Sequence, residues 1–99
     1  MTRQEHLLTI LSEECAEVIK EVSKALRFGL DDKEPNQEFT NSERITKELH
    51  DVIAVIEMLR DEGCIKRGRT GDVLRSFKEK QRKVEKYLEY SEKCGTLNN

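Results

Sequence analysis

Leu7-Leu8-Thr9-Ile10-Leu11-Ser12-Glu13-Glu14-Cys15-Ala16-Glu17-Val18-Ile19-Lys20-Glu21-Val22 is the stretch whose reading decides the fold. Leu7, Leu8, Leu11, Val18, Ile19 and Val22, continued by Leu26, recur at i, i+3, i+4, i+7, the period of an amphipathic α-helix. Cys15 bridges the gap in that pattern and reads as a small buried hydrophobe. Thr2 and Glu5 form a Thr-x-x-Glu capping box at the start, and Gly29 is placed to stop the helix, predicting a helix from about Arg3 to Phe28.

Two further helices follow. Ile45, Leu49, Val52, Ile53, Ile56 and Leu59 give a second apolar stripe, predicting a helix over about 42–62, capped by Thr40 or Ser42 and ended by Gly63. Val73, Leu74, Phe77, Val84, Tyr87 and Leu88 give a third over about 72–93, capped by Asp72 or Thr70. The run from Lys78 to Lys83 has no apolar residue, so a break is allowed there. Between the first two helices, Asp31, Asp32, Pro35, Asn36 and Asn41 mark a connection of about a dozen residues, longer than the usual 2–8. It fits a functional lid or a disordered linker. No strand pattern and no internal repeat is present. The expectation is one all-α domain over 1–93, an antiparallel helical bundle, with 94–99 a flexible tail.

Composition limits the alternatives. Charged residues make up 38% of the 99 residues, the apolar fraction is 35%, and aromatics are 5% with no Trp. Such a chain has a thin aliphatic core, and small domains bury proportionately little surface. Subunits that cover each other's apolar stripes would complete the bundle, predicting a homodimer or homotetramer. The net charge of −2 argues against a general nucleic-acid binder. Its distribution is uneven: residues 1–62 carry 15 acids and 8 bases, residues 63–99 carry 5 acids and 10 bases. Cys15, Cys64 and Cys94 are too few and too scattered for a disulfide framework or a zinc site. No run approaches the ~20 apolar residues of a membrane span, and no signal-peptide core is visible, so the cytoplasm is the expected compartment.

The chemistry lies in two matched acid pairs, Glu14/Glu17 and Glu48/Asp51, each spaced i, i+3. Residues three apart on a helix share a face. If the first two helices pack antiparallel, the pairs meet and offer up to four carboxylates to one pocket. Four converging carboxylates repel unless some are protonated or a hard cation joins them. Mg²⁺, or Mn²⁺ in its place, takes oxygen ligands, keeps open positions for phosphate oxygens, and activates water. Each pair adjoins apolar helix surface (Val18-Ile19, and Val52-Ile53-Ala54-Val55-Ile56), unlike the charged run from Glu79 to Glu85. One such pair alone is more often plain surface; two on successive helices point to a site.

Glu13-Glu14-Cys15-Ala16-Glu17-Val18 resembles the EExxEV element of MazG-like nucleotide pyrophosphohydrolases, and Glu48-Leu49-His50-Asp51-Val52 resembles their ExxDV element. Arg27-Phe28-Gly29 and Asn41-Ser42-Glu43-Arg44 are also similar to small members of that family, phage-encoded ones among them. The resemblance runs from about residue 5 to residue 90 and weakens after Gly63. It implies an all-α oligomer that uses Mg²⁺ on Glu14, Glu17, Glu48 and Asp51 to split a nucleoside triphosphate between its α and β phosphates. The products would be a monophosphate and pyrophosphate. Glu13 matches a recurrent acid of the family but points about 100° away from Glu14, a helper at best. By spacing, Glu21 lies seven residues after Glu14 on the same face, outside the first ring of ligands or on another metal. Lys80, Lys83 and Tyr87 share one face of the last helix and resemble the family's phosphate-contacting helix. The acid motifs do not separate this activity from dUTP- or phosphoribosyl-ATP-type pyrophosphatases. They also leave open the base, the sugar and the number of metal ions. A non-catalytic helical interaction module, an adaptor or antitoxin-like dimer, fits the same composition and predicts no response to metal.

Overall fold

The computed structural model describes residues 1–98. It contains three α-helices, α1 (Arg3–Phe28), α2 (Asn41–Asp61) and α3 (Thr70–Lys93), and no strand among the described residues. The chain divides into two compact units, residues 1–66 and residues from Arg67 onward. The first holds α1 and α2; the second holds α3.

The ends of α1 and α2 follow the chemistry of their caps. Thr2 is extended at the start of α1, and its hydroxyl accepts from the Glu5 N–H at 3.1 Å. Thr40 opens α2 with a complete capping box: its hydroxyl accepts from the Glu43 N–H at 3.2 Å, and its own N–H donates to Glu43 Oε1 at 3.1 Å. These bonds hold the Glu43 carboxyl below the usual carboxylate range, the bond from the Thr40 backbone contributing most. This contribution to stability is present above the ordinary carboxylate pKa and is lost as pH falls through the lowered one. Thr40→Ala is expected to cost about 1 kcal/mol, read from a shift in the urea midpoint at neutral pH. At its far end α2 stops in a Schellman motif. Gly63 adopts φ +74°, its N–H donates to Arg60 O at 3.0 Å, and the Cys64 N–H donates to Leu59 O at 2.9 Å.

Helices α1 and α2 form an antiparallel hairpin. Contacts run in opposite directions along the two chains: Arg3 Nε with Glu62 Oε2 at 3.1 Å, Glu21 with Arg44, and Gly29 O with the Asn41 side-chain amide at 2.8 Å. The connection between them is fastened by backbone bonds, Asn41 N–H to Asp32 O and Ser42 N–H to Leu30 O, both 2.9 Å. Within it Pro35-Asn36 forms a tight turn. The Gln37 N–H donates to Glu34 O at 3.0 Å and Asn36 takes φ +67°, the left-handed position that Asn tolerates.

The buried apolar set is small: Leu7, Ala25 and Leu59. Leu11, Val18, Ile45, Val52, Val55 and Ile56 are half-buried. Much of the stripe expected to be buried is open to solvent instead, with Leu8, Ile19, Val22, Leu26, Leu49 and Ile53 all exposed. Two helices cover each other along a single seam, and an apolar band wider than ~100° needs a second layer. Cys15 is likewise exposed rather than buried.

Helix α3 is continuous through Lys78–Lys83. Its cap differs from expectation: Arg69 occupies the N-cap position with no side-chain hydrogen bond, and Thr70 is already helical. After Lys93, the Thr96 N–H and hydroxyl both bond back to Ser91 O. No helix among the described residues is long and apolar enough to cross a membrane.

Candidate metal centre

The antiparallel hairpin brings Glu14 of α1 against Glu48 and Asp51 of α2. One carboxylate oxygen from each lies within 4.8 Å of the other two, and all three residues are half-buried. Around octahedral Mg²⁺, with bonds of 2.0–2.1 Å, neighbouring and opposite ligand oxygens are about 3–4 Å apart. Modest side-chain rotation therefore closes the three oxygens onto one cation, and the donor set is of the hard kind Mg²⁺ prefers.

The electrostatics of the cluster agree with that donor set. The Glu48 carboxyl is pushed above its ordinary pKa, first by burial and then by the charge of Asp51, with smaller contributions from Glu14 and Glu17; Lys47 opposes the shift. Two carboxylates this close near a protein surface repel by on the order of 1–4 kcal/mol, depending on solvent exposure. Lys47 offers partial relief, its Nζ standing 3.4 Å from Asp51 Oδ2 on an exposed pair.

The remaining acids occupy different places. Glu17 lies outside the group of three and is exposed, although its charge is felt at Glu48. The i, i+3 step turns it by about 60° from Glu14, away from the seam between the helices. Glu13 is exposed and outside the group. Glu21 is 2% exposed, and its Oε1 accepts from Arg44 Nη2 at 3.0 Å, so its first partner is a guanidinium. Arg44 also faces Glu34 Oε2 at 3.6 Å, and Glu34 in turn pairs with Lys24 at 3.2 Å. Lys80, Lys83 and Tyr87 lie on α3 and are exposed.

Arg44 was the residue that sequence reasoning missed. It sits one turn before Glu48 and ties α2 to α1 and to the connecting loop. The signal was the antiparallel register: once Glu14 faces Glu48 and Asp51, the acid seven residues after Glu14 faces the base one turn before Glu48.

Two recesses flank Phe39 beside this cluster. One, of about 260 Å³, is lined by Gln37, Phe39, Arg44, Lys47 and Glu48. The other, of about 400 Å³, is lined by Phe39, Glu43, Thr46, Lys47 and His50.

No family model matches the chain, and comparison with characterised proteins and with solved structures gives no match either.

Proposed function

We propose that this protein is a Mg²⁺-dependent nucleoside triphosphate pyrophosphohydrolase of the MazG-like kind, splitting its substrate between the α and β phosphates. The observation that carries the reading is the meeting of Glu14, Glu48 and Asp51 from two helices at one half-buried point. The two acid motifs, EExxEV and ExxDV in form, supply the class of chemistry.

Glu14, Glu48 and Asp51 would hold the cation, with Glu17 turning inward as a fourth carboxylate and Glu13 and Glu21 outside the ligand ring. When bound, Mg²⁺ would neutralise triphosphate charge and make a water acidic enough to serve as nucleophile. The chain's own contribution is to orient the carboxylates on a rigid helical seam, so that little rearrangement is needed as the substrate arrives. Lys80, Lys83 and Tyr87 keep the phosphate-contacting role that the family resemblance implies. The apolar residues left open on the hairpin, Ile19, Leu26 and Ile53 among them, support a bundle completed by a second copy of the chain.

The test is a panel of NTPs and dNTPs, with dUTP and phosphoribosyl-ATP included, incubated with the protein and Mg²⁺ and resolved by ion exchange. A monophosphate and pyrophosphate from at least one substrate is the expected result; no turnover of any by folded protein counts against it.

The open apolar face also suits a non-catalytic helical module, and melting with metal separates the two readings. Mg²⁺ at a hundred times its dissociation constant should stabilise the protein by about 2.7 kcal/mol, raising the melting temperature by on the order of 10 °C. A melting curve indifferent to Mg²⁺ favours the module.

A further inference from the structure

We infer that Phe39 is a stacking platform for a nucleobase and that Gln37 reads the base edge, placing substrate selection in the loop before α2; the inference rests on the enzymatic reading above. Phe39 is 47% exposed, an aromatic ring held in solvent on a mostly polar loop. The loop does not leave it free to fold away. Thr40 beside it is locked in the capping box with Glu43, and Asn41 and Ser42 are bonded to Asp32 and Leu30. An aromatic side chain held open on a fastened loop is preorganised for a flat partner.

Its position relative to the acids identifies that partner. The smaller recess has Phe39 as one wall and Glu48, a member of the acid triad, as another. A nucleoside triphosphate anchored by its phosphates at the triad sets its base on the Phe39 ring when its nonphosphate end enters this recess. In a nucleoside triphosphate that end is the base, and every base presents a π-face. The groups around the ring supply hydrogen bonding at its margin: the Gln37 amide on one side, and Thr46 and His50 on the other. An amide offers both donors and an acceptor, so Gln37 can complement a base edge.

The experiment measures binding of α,β-methylene nucleoside triphosphates by calorimetry in Mg²⁺, with inorganic tripolyphosphate as the control that lacks a base. Phe39→Ala should weaken the nucleotides by about tenfold or more, equivalent to at least ~1.4 kcal/mol, and leave tripolyphosphate unchanged. Phe39→Trp should bind nucleotides at least as tightly as the natural protein. Phe39→Leu, which keeps the apolar bulk but loses the ring, should behave as the alanine variant and so separates stacking from packing. Gln37→Ala should alter the order of preference among bases. Equal nucleotide affinity in Phe39→Ala, or equal losses for nucleotide and tripolyphosphate, would overturn the inference alone. Natural protein that binds tripolyphosphate with Mg²⁺ but discriminates no base from none would do the same. Natural protein that binds neither ligand would overturn the enzymatic reading and this inference with it.

Discussion

Glu48→Gln is expected to abolish saturable Mg²⁺ binding and to lower turnover by about a thousandfold, the equivalent of roughly 4 kcal/mol of transition-state stabilisation. The metal-free variant should nevertheless be at least as stable as the natural protein. Burial and the charges of Asp51, Glu14 and Glu17 raise the Glu48 pKa. A carboxyl with a raised pKa in the folded state weakens folding as pH rises from its ordinary value through the raised one, because the chain must ionise it among other acids. Below its ordinary pKa the group is neutral in both states and that penalty vanishes. Glutamine is neutral throughout. The variant's advantage should therefore appear at neutral pH and fade in acid, the reverse of the pattern at Glu43. Thermal melts at the two pH values, with and without Mg²⁺, report both effects. A variant that loses stability at neutral pH without metal would mean that Glu48 serves the fold rather than a cation.

The largest loss of stability is expected from Arg44→Ala. Glu21 is 97% buried at its side chain, and Arg44 is its ion-pair partner at 3.0 Å. Removing that partner strands a carboxylate in the seam, which costs about 3–5 kcal/mol. A small domain has only 5–15 kcal/mol in total, so the variant should be partly unfolded at modest urea. Arg44→Lys should recover only part of the loss, since one ammonium replaces a fork that faces both Glu21 and Glu34. Replacing both partners, Glu21→Leu with Arg44→Met, should restore most of the stability, because a buried pair gives little beyond a well-packed apolar one. A loss below about 1 kcal/mol in Arg44→Ala would show that the Glu21–Arg44 pair contributes little to the fold in solution.

The helices themselves were legible from local signals. The span of α1 is the one its periodicity and flanking Thr2 and Gly29 indicate, and α2 shifts by a single residue at each end. The meeting of Glu14 with Glu48 and Asp51 was legible too, because two i, i+3 acid pairs beside apolar stripes have one sensible relation in an antiparallel hairpin. Three things were not legible. Glu21 and Arg44 belong to the residue types least often buried, so local spacing and composition do not flag them as partners; only the antiparallel register of the two helices does. The exposure of Cys15, Ile19 and Leu26 depends on how far round α1 the packing of α2 reaches, which periodicity does not encode. Glu17 looks equivalent to Glu14 in the motif, yet the 60° step between them decides which one lies in the seam.

The central claim is that Glu14, Glu48 and Asp51 share one divalent cation. Anomalous scattering from crystals grown or soaked with Mn²⁺ tests it most directly. The predicted result is a peak among those three carboxylates, absent in crystals of the Glu48→Gln variant. Well-diffracting crystals with no peak there at saturating Mn²⁺, or with the metal bound at other residues, would contradict it.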